Sequence, residues 1–188
     1  LEFDVKKLSD PESGKEISLV DISTASMVNN NETFQVTETN SSPVSPPPFM
    51  VGMVEIELDK ETGHIEILDY VAVVDCGTPA RVQVEGGLGQ GIGMALYEGV
   101  DYTPNGYVKQ NSFMQYKVPS RVDVGKLRVE FESSYEPTGP FGAKSIGEIV
   151  INTPSPAIAD AVFNATGLWI RELPITSEKI AMGLMEQK

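Results

Sequence analysis

"VEIELDKETGHIEIL", residues 54–68, alternates apolar Val54, Ile56 and Leu58 with Glu55 and Glu57, turns through "DKETG", and resumes at Ile65 and Ile67. A period of two with one apolar side belongs to strands buried on one face, and the short turn makes the pair an antiparallel hairpin. The acids of the turn resemble a calcium loop, but its glycine falls one place early for that pattern. His64, on the polar arm, is expected in solvent. The second arm continues into "DYVAVVD", residues 69–75, where apolar Val71–Val74 predicts a strand covered on both faces.

Downstream lies "ARVQVEGGLGQGIGMALYEG", residues 80–99, of helical length with Gly86, Gly87, Gly89, Gly91 and Gly93 inside it. Five helical glycines cost roughly 4–5 kcal/mol relative to alanine, an amount normally offset by close approach of another backbone or a ligand. No register supplies a Walker A lysine or the dinucleotide glycine spacing. Gln83 and Gln90, seven apart and so on one face, are two amides able to bind the polar edges of a ligand such as a pterin.

"TPNGY" marks a further hairpin turn, "KLRVEFE" a strand, and "SYEPTGPFGAKSIGE" an irregular loop. "SPAIADAVFNATG" predicts a helix with Ser155 as cap, Pro156 at its first position and Gly167 as its stop. A strand at "LWIREL", with Trp169 in the core, and a short helix after Pro174 complete the chain. Upstream, residues 1–26 predict short strands, and Asn29–Pro48, ending in "SSPVSPPP", an extended segment. Strands interleaved with helices and hairpins give an α+β class with mixed sheets and a few packed helices. The expected division is residues 1–50 and 51–188.

Composition narrows the function. Acidic residues outnumber basic ones 27 to 14, for a net charge of -13, which disfavours nucleic acid. No apolar run is long enough for a membrane span and no secretory leader is evident, so the cytoplasm is expected. One cysteine, Cys76, and one histidine leave no soft-ligand cluster, so no metal ligand is assigned to the chain. Cys76 is read as a packing residue at a strand end. Asn31, Asn40 and Asn164 begin glycosylation triplets that are read as chance. Pro43 and the prolines after it form a covered extended segment, or the ligand of a proline-reading module.

Four stretches taken together, "VEIELDKETGHIEILDYVAVVDCG", "QVEGGLGQGIGMALYE", "GPFGAKSIGE" and "IADAVFNATGLWIRELPITSEKI", resemble the C-terminal part of the molybdopterin subunit of the xanthine dehydrogenase and aldehyde oxidase family. The likeness runs from about residue 51 to 181. It implies that Glu148 is the general base that takes a proton as a water-derived oxygen reaches an electron-poor carbon. It makes Gln83 a hydrogen-bonding contact to the cofactor and Gln90 a lesser one, and it lays Gly142, Lys144, Ser145, Ile146 and Gly147 along the molybdenum centre. Phe141 and Ile146 would partly bury the acid, beside the charge of Lys144.

The implied cofactor is molybdopterin, as such or as its cytosine dinucleotide. Iron–sulfur clusters and FAD are expected on other segments or subunits, with the rest of the molybdopterin subunit as a partner. A small purine-like heterocycle or aldehyde is the implied substrate, within an oligomeric assembly away from membranes. Pro79 runs directly into "ARVQ" where the family has an intervening Ile, Asn, Pro segment, so the connection is either short in this protein or partly absent from the sequence, and Ile149 stands where the family often has proline. A noncatalytic scaffold that keeps the fold is the alternative.

Overall fold

The computed structural model describes residues 2–4, 6–30, 35, 37–39, 41, 44–79, 81–132 and 134–187. Pro43, Asn31 and Asn40 lie outside them. Two compact units divide the chain, residues 1–41 and residues 42–188.

The first unit is an antiparallel meander of β1 (Glu2–Asp4), β2 (Lys7–Ser9) and β3 (Glu16–Ser18), followed by helix α1 (Leu19–Asn30). The helix corrects the expectation of strands to residue 26 and extended chain from Asn29. Its start is set by Ser18, whose Oγ accepts from Asp21 N at 3.0 Å and donates to the Asp21 carboxylate at 2.6 Å. A hydroxyl followed three residues later by an acid is a helix-start signature.

The second unit carries a three-stranded sheet in the order β4 (Phe49–Leu58), β5 (Ile65–Asp75), β6 (Lys126–Phe131). β4 and β5 form the expected hairpin, closed where Asp59 Oδ1 accepts from Glu61 N at 2.8 Å and Asp59 O from Gly63 N at 2.8 Å. The register passes from Glu55 opposite Asp69 to Ile56 opposite Ile67, leaving Leu68 as an inserted residue. That bulge switches the buried phase of β5 from Ile65 and Ile67 to Tyr70, Ala72 and Val74. Val73 remains 39% exposed, so β5 is covered on one face and not on both. The helices pack on one side only, and the opposite face shows Phe49, Val51 and Met53.

β6 runs parallel to β5, reached through helix α2 (Arg81–Leu96). All five glycines of the run are helical. Helices α3 (Ile149–Asn152) and α4 (Pro154–Thr166) cross α2, and α5 (Ser177–Glu186) closes the core of Val84, Leu88, Ile92, Val150, Ile158, Val162 and Ile180. No helix among the described residues is long and apolar enough to cross a membrane.

Two expectations near the end are corrected. α4 starts at Pro154 rather than at Pro156, because α3 delivers the chain already helical at Thr153 (φ −85°, ψ −30°). Gly167 ends it in the left-handed conformation, as predicted. "LWIREL" forms no strand: Lys179 Nζ donates to the carbonyls of Glu172 (3.2 Å) and Pro174 (3.0 Å), and no ladder partner is present among the described residues. Trp169 is 49% exposed and stacked on Phe163 at 4.2 Å, not in the core.

The glycines of α2 differ in what surrounds them. A Cβ on Gly87 would stand 1.9 Å from Val150 Cγ2, and one on Gly91 2.6 Å from Pro154 Cγ, whereas at Gly86 and Gly89 it would meet nothing within 4 Å. Gly87→Ala is therefore expected to lose about 1–3 kcal/mol through overpacking, and Gly86→Ala to gain about 1 kcal/mol from helix propensity. Urea unfolding midpoints should move in opposite directions for the two variants.

Candidate functional site

The site is built where α2 meets α3, the helix that Glu148 precedes. Val150, fully buried, sits against Gly87, and Gln83 lies one turn before Gly87 on the same edge of α2. Glu148 immediately precedes α3 and is two residues from Val150, so the packing of α3 on α2 brings Glu148 and Gln83 to the same end of the crossing. Both side chains are exposed. The Glu148 carbonyl accepts from Ile151 N at 3.2 Å, but its carboxylate makes no capping bond and pairs with no cation among the described residues.

The loop before Glu148 is fastened to the exit of β5. Lys144 N donates to Cys76 O at 2.7 Å, Thr78 N to Gly142 O at 3.1 Å, and Gly77 bridges Ala143. The approach is closer than side chains permit, since a Cβ on Gly77 would lie 2.1 Å from Gly142 O, and both glycines have positive φ (69° and 79°). Phe141 also takes a left-handed conformation (φ 54°) and turns its ring outward, 92% exposed. A bulky residue in that region is strained and is held there only by its surroundings.

The predicted site residues thus separate. Gly142 is buried, with its carbonyl accepting from Thr78 N and from Glu136 N. Lys144 turns its ammonium to Asp75, Nζ to Oδ2 2.7 Å, so its side chain is committed within the fold rather than held out toward a ligand. Ile146 is half-buried at the margin of the core, while Ser145, Gly147 and Glu148 are exposed. Phe141 does not enclose Glu148 as expected, because its ring points into solvent.

Gln90 shares the open stripe of α2 with Gln83 and borders a cavity of about 350 Å³, lined also by Gly86, Gly89, Glu98, Pro119 and Arg121. Glu98 holds the phenol of Tyr116, whose hydroxyl donates to Oε2. Packing within the chain accounts for Gly87, Gly91 and Gly93; nothing in it requires Gly86 and Gly89, which leave bare backbone beside two exposed amides. That open, amide-rimmed surface fits a flat polar group approaching from outside. Among the described residues no group of three or more His, Cys, Asp or Glu is placed to hold a metal ion.

Asp75 and Glu98 are the residues that sequence reasoning missed. Asp75 closes an apolar run at a strand end, a position whose only signal is a lone acid after "VAVV". Hydrogen bonding from Lys144, then from Ser134, keeps its carboxyl below the ordinary value of 3.8. A depressed carboxylate stabilises the fold above its unfolded value, and that stability is lost as pH falls through the folded value. The gap in unfolding free energy between wild type and Asp75→Asn should therefore stay constant from neutral pH to about pH 5 and shrink below about pH 4. Urea titrations at stepped pH would read it.

The family model described as a molybdopterin cofactor-binding domain matches residues 2–125, a span that includes Gln83 and Gln90 and begins well before residue 51, where the motif likeness starts. The protein named "Probable hypoxanthine oxidase XdhD" from Escherichia coli K12 is 35% identical over 143 residues, 73% of this chain and 15% of that protein. The crystal structure of quinoline 2-oxidoreductase from Pseudomonas putida 86 superposes with a TM-score of 0.65 at 30% identity, over 71% of this chain and 18% of its own. A Cu,Mo-CO dehydrogenase shares the fold over 99% of this chain and 25% of its own, with a TM-score of 0.75 at 24% identity. The chain spans a quarter or less of the length of each of these proteins.

Proposed function

The chain belongs to the molybdopterin cofactor-binding domain family, and on that premise we propose that it forms the glutamate-bearing side of the cofactor pocket in a molybdenum hydroxylase. The reaction is oxidation of an electron-poor carbon of a purine-like heterocycle, or of an aldehyde, with oxygen derived from water. The molybdenum cofactor, when bound, supplies the oxygen transfer and accepts the electron pair. The names of two similar proteins, a hypoxanthine oxidase and a quinoline oxidoreductase, support the heterocycle as substrate class.

The reading is carried by placement along the α2–α3 crossing: Gln83 lies one turn before Gly87, and Glu148 two residues before Val150, which packs on that glycine, so both exposed side chains stand at the same end. Gln83 offers both an amide donor and an acceptor to the pterin edge, and Gln90 a second such group a little under two turns on. Glu148, uncommitted to any cation, is available to take the proton released as the oxygen is delivered. Ser145 and Gly147 expose the backbone of the approach. Lys144 supports from behind through Asp75. The remainder of the pocket, iron–sulfur clusters and FAD to carry the electrons away, and further subunits complete the assembly in this reading.

Glu148→Gln in the assembled enzyme should leave molybdenum and pterin content unchanged and lower turnover by at least about 10², the scale of a lost general base. Turnover near that of wild type would remove Glu148 from the chemistry. Protein purified with its partners but empty of molybdenum would instead favour a scaffold role.

A further inference from the structure

We propose that Asp75, 73 residues before Glu148 in the chain, is a positioning residue for it, acting through Lys144. The inference rests on the general-base reading of Glu148. Glu148 is suspended between two fixed points. On its C-terminal side Val150 is fully buried against Gly87, an anchor made of packing. On its N-terminal side the nearest residue held by polar bonds is Lys144, whose N donates to Cys76 O at 2.7 Å and whose Nζ pairs with Asp75 Oδ2 at 2.7 Å. Between them Ile146 and Ile149 rest partly buried against the core, while exposed Gly147, where a Cβ would meet no neighbour, adds no stiffness of its own next to Glu148.

The ion pair is built to hold a position. Its side chains are only 12% and 21% exposed, for Lys144 and Asp75. Asp75 Oδ1 accepts from Ser134 Oγ, which fixes the carboxylate plane, and Asp75 is the last residue of the central strand, the most rigid element available. The Phe49 ring of β4 lies 5.9 Å from Lys144 Nζ. A partly desolvated, charge-assisted bond of this kind is directional, unlike a solvated surface pair. Lys144 therefore serves the site indirectly, in place of the direct contact with cofactor that the motif implies.

The test uses the assembled enzyme with Asp75→Asn, Lys144→Met, both together, and Lys144→Arg. Misplacing the base should lower kcat about 10-fold or more in each single replacement, with KM nearly unchanged and molybdenum content kept, because displacement of a reacting group by about 1 Å costs up to about 10². The double variant should be no slower than the slower single, and Lys144→Arg should recover most of the rate. Hydrogen exchange in the peptide covering residues 143–148 should rise in Asp75→Asn while α2 and β4 stay protected. Wild-type kcat and exchange in Asp75→Asn would overturn the proposal. So would loss of molybdenum in Lys144→Met but not in Asp75→Asn, which would make Lys144 a direct cofactor contact. If an Asn or Met variant does not assemble, slow turnover in a fully loaded Lys144→Arg enzyme counts against the pair. The reading of Glu148 itself fails separately, if Glu148→Gln turns over normally.

Discussion

The contact on which the second unit depends is the close approach of α3 and α4 to the glycine edge of α2. Val150 occupies the place of a Gly87 side chain, and Pro154 that of Gly91. Each helical glycine costs about 1 kcal/mol against alanine, and the loss is offset by burying Val150, Pro154 and Ile158 completely. The same contact has a functional consequence. It puts a solvent-exposed acid, two residues from the contact, at the same end of the crossing as an exposed glutamine one turn from it.

The second constraint is exercised by β5. Its inner face supplies Tyr70, Ala72 and Val74 to the core, and its exit supplies Asp75, Cys76 and Gly77 to the loop that leads to Glu148. A strand paired on both sides, antiparallel to β4 and parallel to β6, is a rigid base for such a loop. The loop concentrates the strain of the region in Phe141, ahead of Glu148 in the chain.

What the sequence made legible follows physical rules that act locally. The hairpin of β4 and β5 announced itself by alternation and by the Asp59 turn, and α2 by its length despite five glycines. Helix α1 was missed because Ser18 and Asp21, its capping pair, lie at the end of a stretch that otherwise alternates. "LWIREL" has the residues of a strand, yet strand formation needs a neighbour, and Lys179 already occupies two of the carbonyls nearby. Lys144 and Glu148, four apart in one motif, read as a pair facing one site; only the fold shows that Lys144 turns back to Asp75. The bulge at Leu68, which exposes Val73, depends on register and has no sequence signal of its own.

The central claim is that the α2–α3 crossing presents Glu148 to the reacting end of a bound molybdenum cofactor. The most direct measurement is a crystal structure of the cofactor-loaded assembly containing this chain. The account predicts the Glu148 carboxylate within hydrogen-bond reach, about 2.6–3.2 Å or one intervening water, of an oxygen at the molybdenum centre, with Gln83 bonded to the pterin. A carboxylate directed into solvent or into a subunit contact, with the cofactor seated elsewhere, would contradict it.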